Sequence, residues 1–231
     1  MKIATSKEAK PSRFRISDFH AYLAPMAIFM SFTLVGQTWK SLYPWSYLIK
    51  TLVVAAALWL SWPRYTRIRW DYWWLGLIVG TIGVFQWVGT QLYLEQFRFF
   101  QSSSDAFNPL DYFRGYDGMM WGFIGVRAAG AVLVVPLMEE LFWRDFFWRS
   151  IVSPDFKRIP IGTWAWFPFL GVAAAFSVAH GNWWLTSFVW ALMIGALLVK
   201  TRSLGACIVA HATTNLLLAA YVVTSRQWFF W

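Results

Sequence analysis

Seven stretches of this chain, approximately 21–39, 47–62, 72–94, 121–148, 162–180, 183–199 and 204–223, are long and predominantly apolar. A helix needs roughly 20 such residues to cross a hydrocarbon core of about 30 Å, and only a helix satisfies its own backbone polar groups there. A water-soluble core could not hide this much apolar surface. Of 231 residues, 58% are hydrophobic and only 13% are charged, whereas soluble domains carry about a quarter charged. The expected fold is therefore all-α, a polytopic membrane helix bundle of about seven spans, within a range of six to eight. The second and sixth runs are short, and the fourth is interrupted by Arg127, Glu139, Glu140, Arg144 and Asp145. Hydropathy alone would end the fourth run near Pro136.

The placement of the basic residues says more than the net charge of +9. Lysine and arginine collect in cytoplasmic loops of membrane proteins. Here Lys2, Lys7, Lys10, Arg13 and Arg15 precede the first run, Arg64, Arg67 and Arg69 follow the second, Arg149, Lys157 and Arg158 follow the fourth, and Lys200 and Arg202 follow the sixth. All fall on one side of an alternating topology. The loop 95–118 falls on the other, with Glu95, Asp105, Asp111 and Asp117 against Arg98 and Arg114. The N-terminus is thus expected in the cytoplasm and the C-terminus outside, with the lipid bilayer rather than nucleic acid as the partner of the positive charge. Residues 1–20 read as a basic cytoplasmic tail drawn to an anionic leaflet, and 21–231 as a single membrane domain. The first run lacks a small-residue cleavage site and is expected to stay attached. The lone Cys207 excludes an internal disulfide. Tryptophan pairs at the run ends, and the closing Gln227-Trp228-Phe229-Phe230-Trp231, read as an interfacial belt.

Charged side chains inside a span cost about 2.5–3.5 kcal/mol on insertion scales, so each asks for a partner or a task. In Pro136-Leu137-Met138-Glu139-Glu140-Leu141-Phe142-Trp143-Arg144, helical spacing puts Glu140 and Arg144 one turn apart on one face. Glu139 points about 100° away and is left without that cation. Pro136 removes the backbone bond to Val132 and is expected to kink the helix, opening room for a water. A second segment, Phe176-Ser177-Val178-Ala179-His180, closes the fifth run; a third, His211-Ala212-Thr213-Thr214-Asn215, stacks an imidazole and an amide on one face of the seventh. The bland reading of these residues is interhelical ion pairing and hydrogen bonding. Two of the chain's three histidines fall in these segments, which favours chemistry; His20, at the start of the first run, reads as interfacial.

Glu-Glu-x-x-x-Arg, Phe-x-x-x-His and His-x-x-x-Asn, in that order on successive membrane helices, resemble the intramembrane CAAX-protease and bacteriocin-processing family. The resemblance covers about residues 120–220, the expected catalytic core. A narrower likeness is to the bacterial branch found with exosortase and PEP-CTERM surface-protein sorting, which would make exosortase-system proteins possible partners and the bacterial inner membrane the location. The resemblance implies an endopeptidase acting on a membrane-anchored protein or peptide. It assigns Glu139 as general base with His180 as its partner on the water, His211 and Asn215 to the oxyanion, and Glu140, Arg144 and Phe176 to support. Convergence of these groups requires the fourth helix to continue to about Trp148, with the site opening to the non-cytoplasmic half. No cofactor is favoured; zinc held by Glu139, His180 and His211 is the alternative donor set, although no His-Glu-x-x-His helix exists. A non-catalytic scaffold in surface-protein sorting and, further off, a proton-coupled transporter are the competing functions.

Overall fold

A computed structural model describes residues 17–101 and 106–231. The basic tail up to residue 16, and Asp105, lie outside the described residues. Among the described residues every regular element is helical. The main ones are α1 (Asp18–Thr38), α2 (Tyr43–Ser61), α3 (Trp73–Leu94), a continuous α4 (Asp117–Val152), α5 (Trp166–Val178), α6 (Trp184–Thr201) and α7 (Leu204–Ser225). Six are long and apolar enough to cross a bilayer; α5, at 13 residues, is not. The run expected over 162–180 is shortened at its start by Pro160 and by Gly162, whose φ is +71°. At its end the chain leaves the helix at Ala179, and His180 stands in the turn that follows.

Side-chain bridges define two ends of the bundle. At the first, Lys157 pairs with Asp18 (2.9 Å) and donates to the Arg64 carbonyl, while Arg149 donates to Thr66 Oγ1 (2.7 Å). Ser203, the N-cap of α7, accepts from the Ala206 amide and donates to the Arg69 carbonyl (2.9 Å). The basic residues of loops 64–72, 153–165 and 202–203 therefore gather together. At the second end, Tyr112 donates to the Ser41 carbonyl, Phe107 packs on Tyr43, and Phe230 packs edge-on against Trp183. A hydrogen-bonded group made of Asp145, Arg149, Tyr22 and Thr66 locks α4 to α1 near the first end: Asp145 pairs with Arg149 and accepts from Tyr22 Oη (2.7 Å).

Helix α3 lies against α7 through glycines. A Cβ at Gly76 would stand 2.5 Å from the Ala206 carbonyl oxygen, and one at Gly80 would stand 2.4 Å from that of Ala210. Small residues at this spacing let membrane helices approach closely, since burial of apolar area gives no drive between helices in lipid. Thr214 Oγ1 then reaches the Gly80 carbonyl (2.9 Å). This contact sets the depth and rotation of α7, and with them His211 and Asn215.

The tryptophan belt is present in part. Trp39, Trp59, Trp62, Trp73, Trp74, Trp164 and Trp166 are exposed near helix ends. Trp143, Trp148, Trp190 and Trp228 are buried and belong to the core instead, because in a bundle this rich in aromatics the helix interfaces also need large rings.

Candidate active site

Helix α4 carries two wide, π-helical stretches, Gly130–Val134 and Leu141–Phe147, on either side of Val135–Glu140. The Val135 amide reaches back five residues to the Gly130 carbonyl. In that register the next carbonyl, Ala131, would be served by residue 136, which as a proline has no N–H. Asn215 of α7 supplies the donor, its Nδ2 lying 2.7 Å from the Ala131 oxygen. The helix thus accommodates Pro136 by widening, and the bond displaced is the one to Ala131, not the expected one to Val132. Such π turns are frequent at functional sites.

Glu140 and Arg144 form the expected pair, with Oε1 to Nη1 at 3.2 Å and both side chains fully buried. The same Oε1 accepts from His211 Nδ1 (2.9 Å), so α7 is held to α4 by a second polar contact. The Arg144 guanidinium stacks 5.0 Å over the Phe176 ring and 5.7 Å over that of Trp190. Trp190 also packs edge-on against His211, with ring centroids 4.7 Å apart. Phe176 is therefore a wall for the ion pair and, at 4.3 Å between centroids, for His180.

His180 Nδ1 lies 2.8 Å from the Phe176 carbonyl oxygen. A carbonyl only accepts, so Nδ1 carries the hydrogen and Nε2 is left with its lone pair in the neutral ring. Glu139 is buried, and its Oε2 has no hydrogen-bond partner. Glu139, His180, His211 and Asn215 all line one cavity of about 1190 Å³. Its remaining walls come from the second halves of α1 and the first half of α2, from the 179–183 turn, and from the closing Phe229 and Trp231. It opens at the end of the bundle away from the N-terminus of α1. The four residues singled out from three separate motifs thus share one space.

Three residues of that space carry charges the motifs do not include, Lys40, Lys50 and Arg127, and the last two are buried. Lys50, 6% exposed, sits in the middle of α2 with its Nζ 3.1 Å from Thr33 Oγ1, over the rings of Phe29 and Tyr47. Arg127, 8% exposed, lies among the rings of Tyr43, Tyr47 and Trp231. Lys50 could have been flagged from sequence as the one charged residue of the 47–62 run. Among the described residues no group of three His, Cys, Asp or Glu side chains is placed to hold a metal ion.

A buried carboxylate with a free oxygen, beside an imidazole with a free nitrogen and two further polar side chains, can take a proton from water and stabilise an oxyanion. No curated protein and no solved structure matches the chain. Residues 121–217 match the family model described as Rce1-like, type II CAAX prenyl endopeptidase. The segment that carries Glu139, His180, His211 and Asn215 is thus similar to that CAAX-protease family.

Proposed function

We propose that the protein is an intramembrane endopeptidase that hydrolyses a peptide bond in a membrane-associated substrate with water activated by Glu139 and His180. The observation that carries this reading is the unpartnered Glu139 carboxylate oxygen in a cavity it shares with His180. Glu139 takes a proton from water as the oxygen attacks the scissile carbonyl. The negative charge that develops on that oxygen is met by His211 and Asn215. Asn215 keeps one amide hydrogen for this role after bonding Ala131, and His211 Nε2 donates when the ring carries a proton on both nitrogens. Glu139 then returns the proton to the leaving nitrogen as the C–N bond breaks.

The mechanism needs no metal, and no step passes through one. The bundle end that gathers Arg64, Arg67, Arg69, Lys157, Arg158 and Arg202 is assigned to the cytoplasm by the positive-inside rule, which opens the cavity to the opposite side. The decisive experiment compares membrane proteomes of cells carrying the intact protein, a deletion, and Glu139→Gln. Uncut protein termini in both the deletion and the Glu139→Gln cells are expected, with full cleavage by purified protein after exhaustive chelation. Cleavage undisturbed by Glu139→Gln would remove the protease reading in favour of a scaffold, and loss on chelation with rescue by zinc would replace the metal-free mechanism.

A further inference from the structure

The end of the bundle at which α1 begins carries more cations than its own carboxylates balance. Asp18 pairs with Lys157 at 2.9 Å and Arg64 at 3.9 Å, Asp145 with Arg149, Asp155 with Arg158 at 2.6 Å, and Asp71 with Arg69 at 2.8 Å. Arg67, Lys200 and Arg202 are left over. All three are exposed, and none has a carboxylate within ion-pair distance or a side-chain hydrogen bond among the described residues. This surplus is gathered at one place. The Arg69 carbonyl accepts from Ser203 Oγ (2.9 Å) and from the Gly205 amide (3.0 Å), which ties the loop between α2 and α3 to the first turn of α7. Arg67 stands two residues before Arg69, and Arg202 and Lys200 stand one and three residues before Ser203. The unmatched cations therefore flank a single joint. Beside it, residues 69–74 line an open hollow of about 550 Å³, with Trp70, Trp73 and Trp74 exposed. Trp73 and Trp74 begin α3, a helix long and apolar enough to span a bilayer, and so stand at the depth where indole rings meet the headgroup layer.

We propose that Arg67, Lys200 and Arg202, together with the hollow at Trp70, Trp73 and Trp74, bind the headgroup of an anionic phospholipid. The phosphate meets the unmatched cations in the water layer, and the glycerol and the first part of the acyl chains lie against the indoles. A soluble phosphate would use only the charged half of this surface, and an acidic peptide would leave the indoles to the lipid. Only an amphiphile with an anionic head matches both halves. The site is separate from the cavity of Glu139 and needs no chemistry there. Its influence reaches that cavity through the joint, because α7 carries His211 and Asn215, and a headgroup held by both loops fixes the start of that helix beside α3.

Native mass spectrometry of the full-length protein, released from micelles that contain phosphatidylglycerol or phosphatidylcholine, reads the retained lipid directly. Phosphatidylglycerol should be held about tenfold or more tightly than phosphatidylcholine. Each of Arg67→Gln, Lys200→Gln and Arg202→Gln should weaken phosphatidylglycerol by about fivefold, the worth of one basic side chain near an anionic surface, and leave phosphatidylcholine unchanged. Arg158→Gln makes the same change in net charge at the same end but removes a cation already paired with Asp155, and should leave the preference as it was. Arg67→Lys keeps the charge and should bind as the parent does, which separates a lost cation from a damaged loop. Equal retention of the two lipids by the unaltered protein overturns the proposal. So does a loss in Arg158→Gln as large as that in Arg67→Gln, since a diffuse field rather than a site would then hold the lipid. Displacement of phosphatidylglycerol by millimolar inorganic phosphate would overturn it in favour of a soluble anion.

Discussion

The contact between Asn215 and the Ala131 carbonyl links a side chain of α7 to the missing amide of Pro136, and a double-mutant cycle can measure that link. Asn215→Ala removes the donor 2.7 Å from Ala131 and leaves a part-buried carbonyl without that partner in the π-helical stretch Gly130–Val134. An unsatisfied buried acceptor costs about 1–3 kcal/mol. Pro136→Ala restores an N–H that can serve either Ala131 in the wide register or Val132 in a regular one. In that background the Asn215→Ala cost should drop, giving a coupling of about 1–2 kcal/mol, within the range seen for groups that share a hydrogen bond. The assay is equilibrium unfolding by SDS in mixed micelles, followed by helical circular dichroism, for the parent, both single variants and the double. Additivity within about 0.5 kcal/mol would refute the reasoning, because independent sites add to that tolerance. The measurement is indifferent to catalysis, so it tests the architecture of the site even though Asn215 also faces the cavity.

Three further outcomes are expected. Arg144→Met should destabilise the fold by about 3–5 kcal/mol, since it leaves the fully buried Glu140 carboxylate with His211 but without its cation, while the double variant Glu140→Gln/Arg144→Met should recover part of that loss in the same SDS titration. Gly80→Ala should cost about 1–3 kcal/mol because its Cβ would meet the Ala210 carbonyl, whereas Gly89→Ala, with open space around it, should be neutral or stabilising. In a Cys207→Ala background, a membrane-impermeant maleimide applied to intact cells should label a cysteine at Asn182 and spare one at Arg158; the reverse pattern would invert the proposed orientation.

Much of this arrangement is legible in the residue order. Apolar runs separated by basic or acidic loops imply a helical bundle regardless of how the helices pack, and the Glu140–Arg144 pair follows from helical spacing alone. The register of α4 does not follow, because whether a proline kinks a helix or widens it depends on what can reach the freed carbonyl, and Asn215 is 84 residues away in sequence. The length of α5 does not follow either: the composition of 162–180 is predominantly apolar, but the positive φ of Gly162 and the turn at His180 are set by what packs there. Lys50 does not stand out in the sequence for a simpler reason. It belongs to no motif, and its surroundings of Thr33, Phe29 and Tyr47 come from two helices that only the fold brings together.

The shortness of α5 has a consequence for the lipid around it. Thirteen residues rise about 20 Å, some 10 Å less than the hydrocarbon slab. The turn that closes it is not at the bundle surface: the His180 ring packs on Trp87, which is seven residues, roughly 10 Å, short of the end of α3 at Leu94. On that flank, where Phe167 and Val178 face outward, the protein offers lipid a shorter apolar wall than its other helices do. A bilayer answers such a mismatch by thinning. Headgroups and their water are thereby brought down to the level of His180, and the proposed hydrolysis would draw its second reactant from a dimple in the membrane.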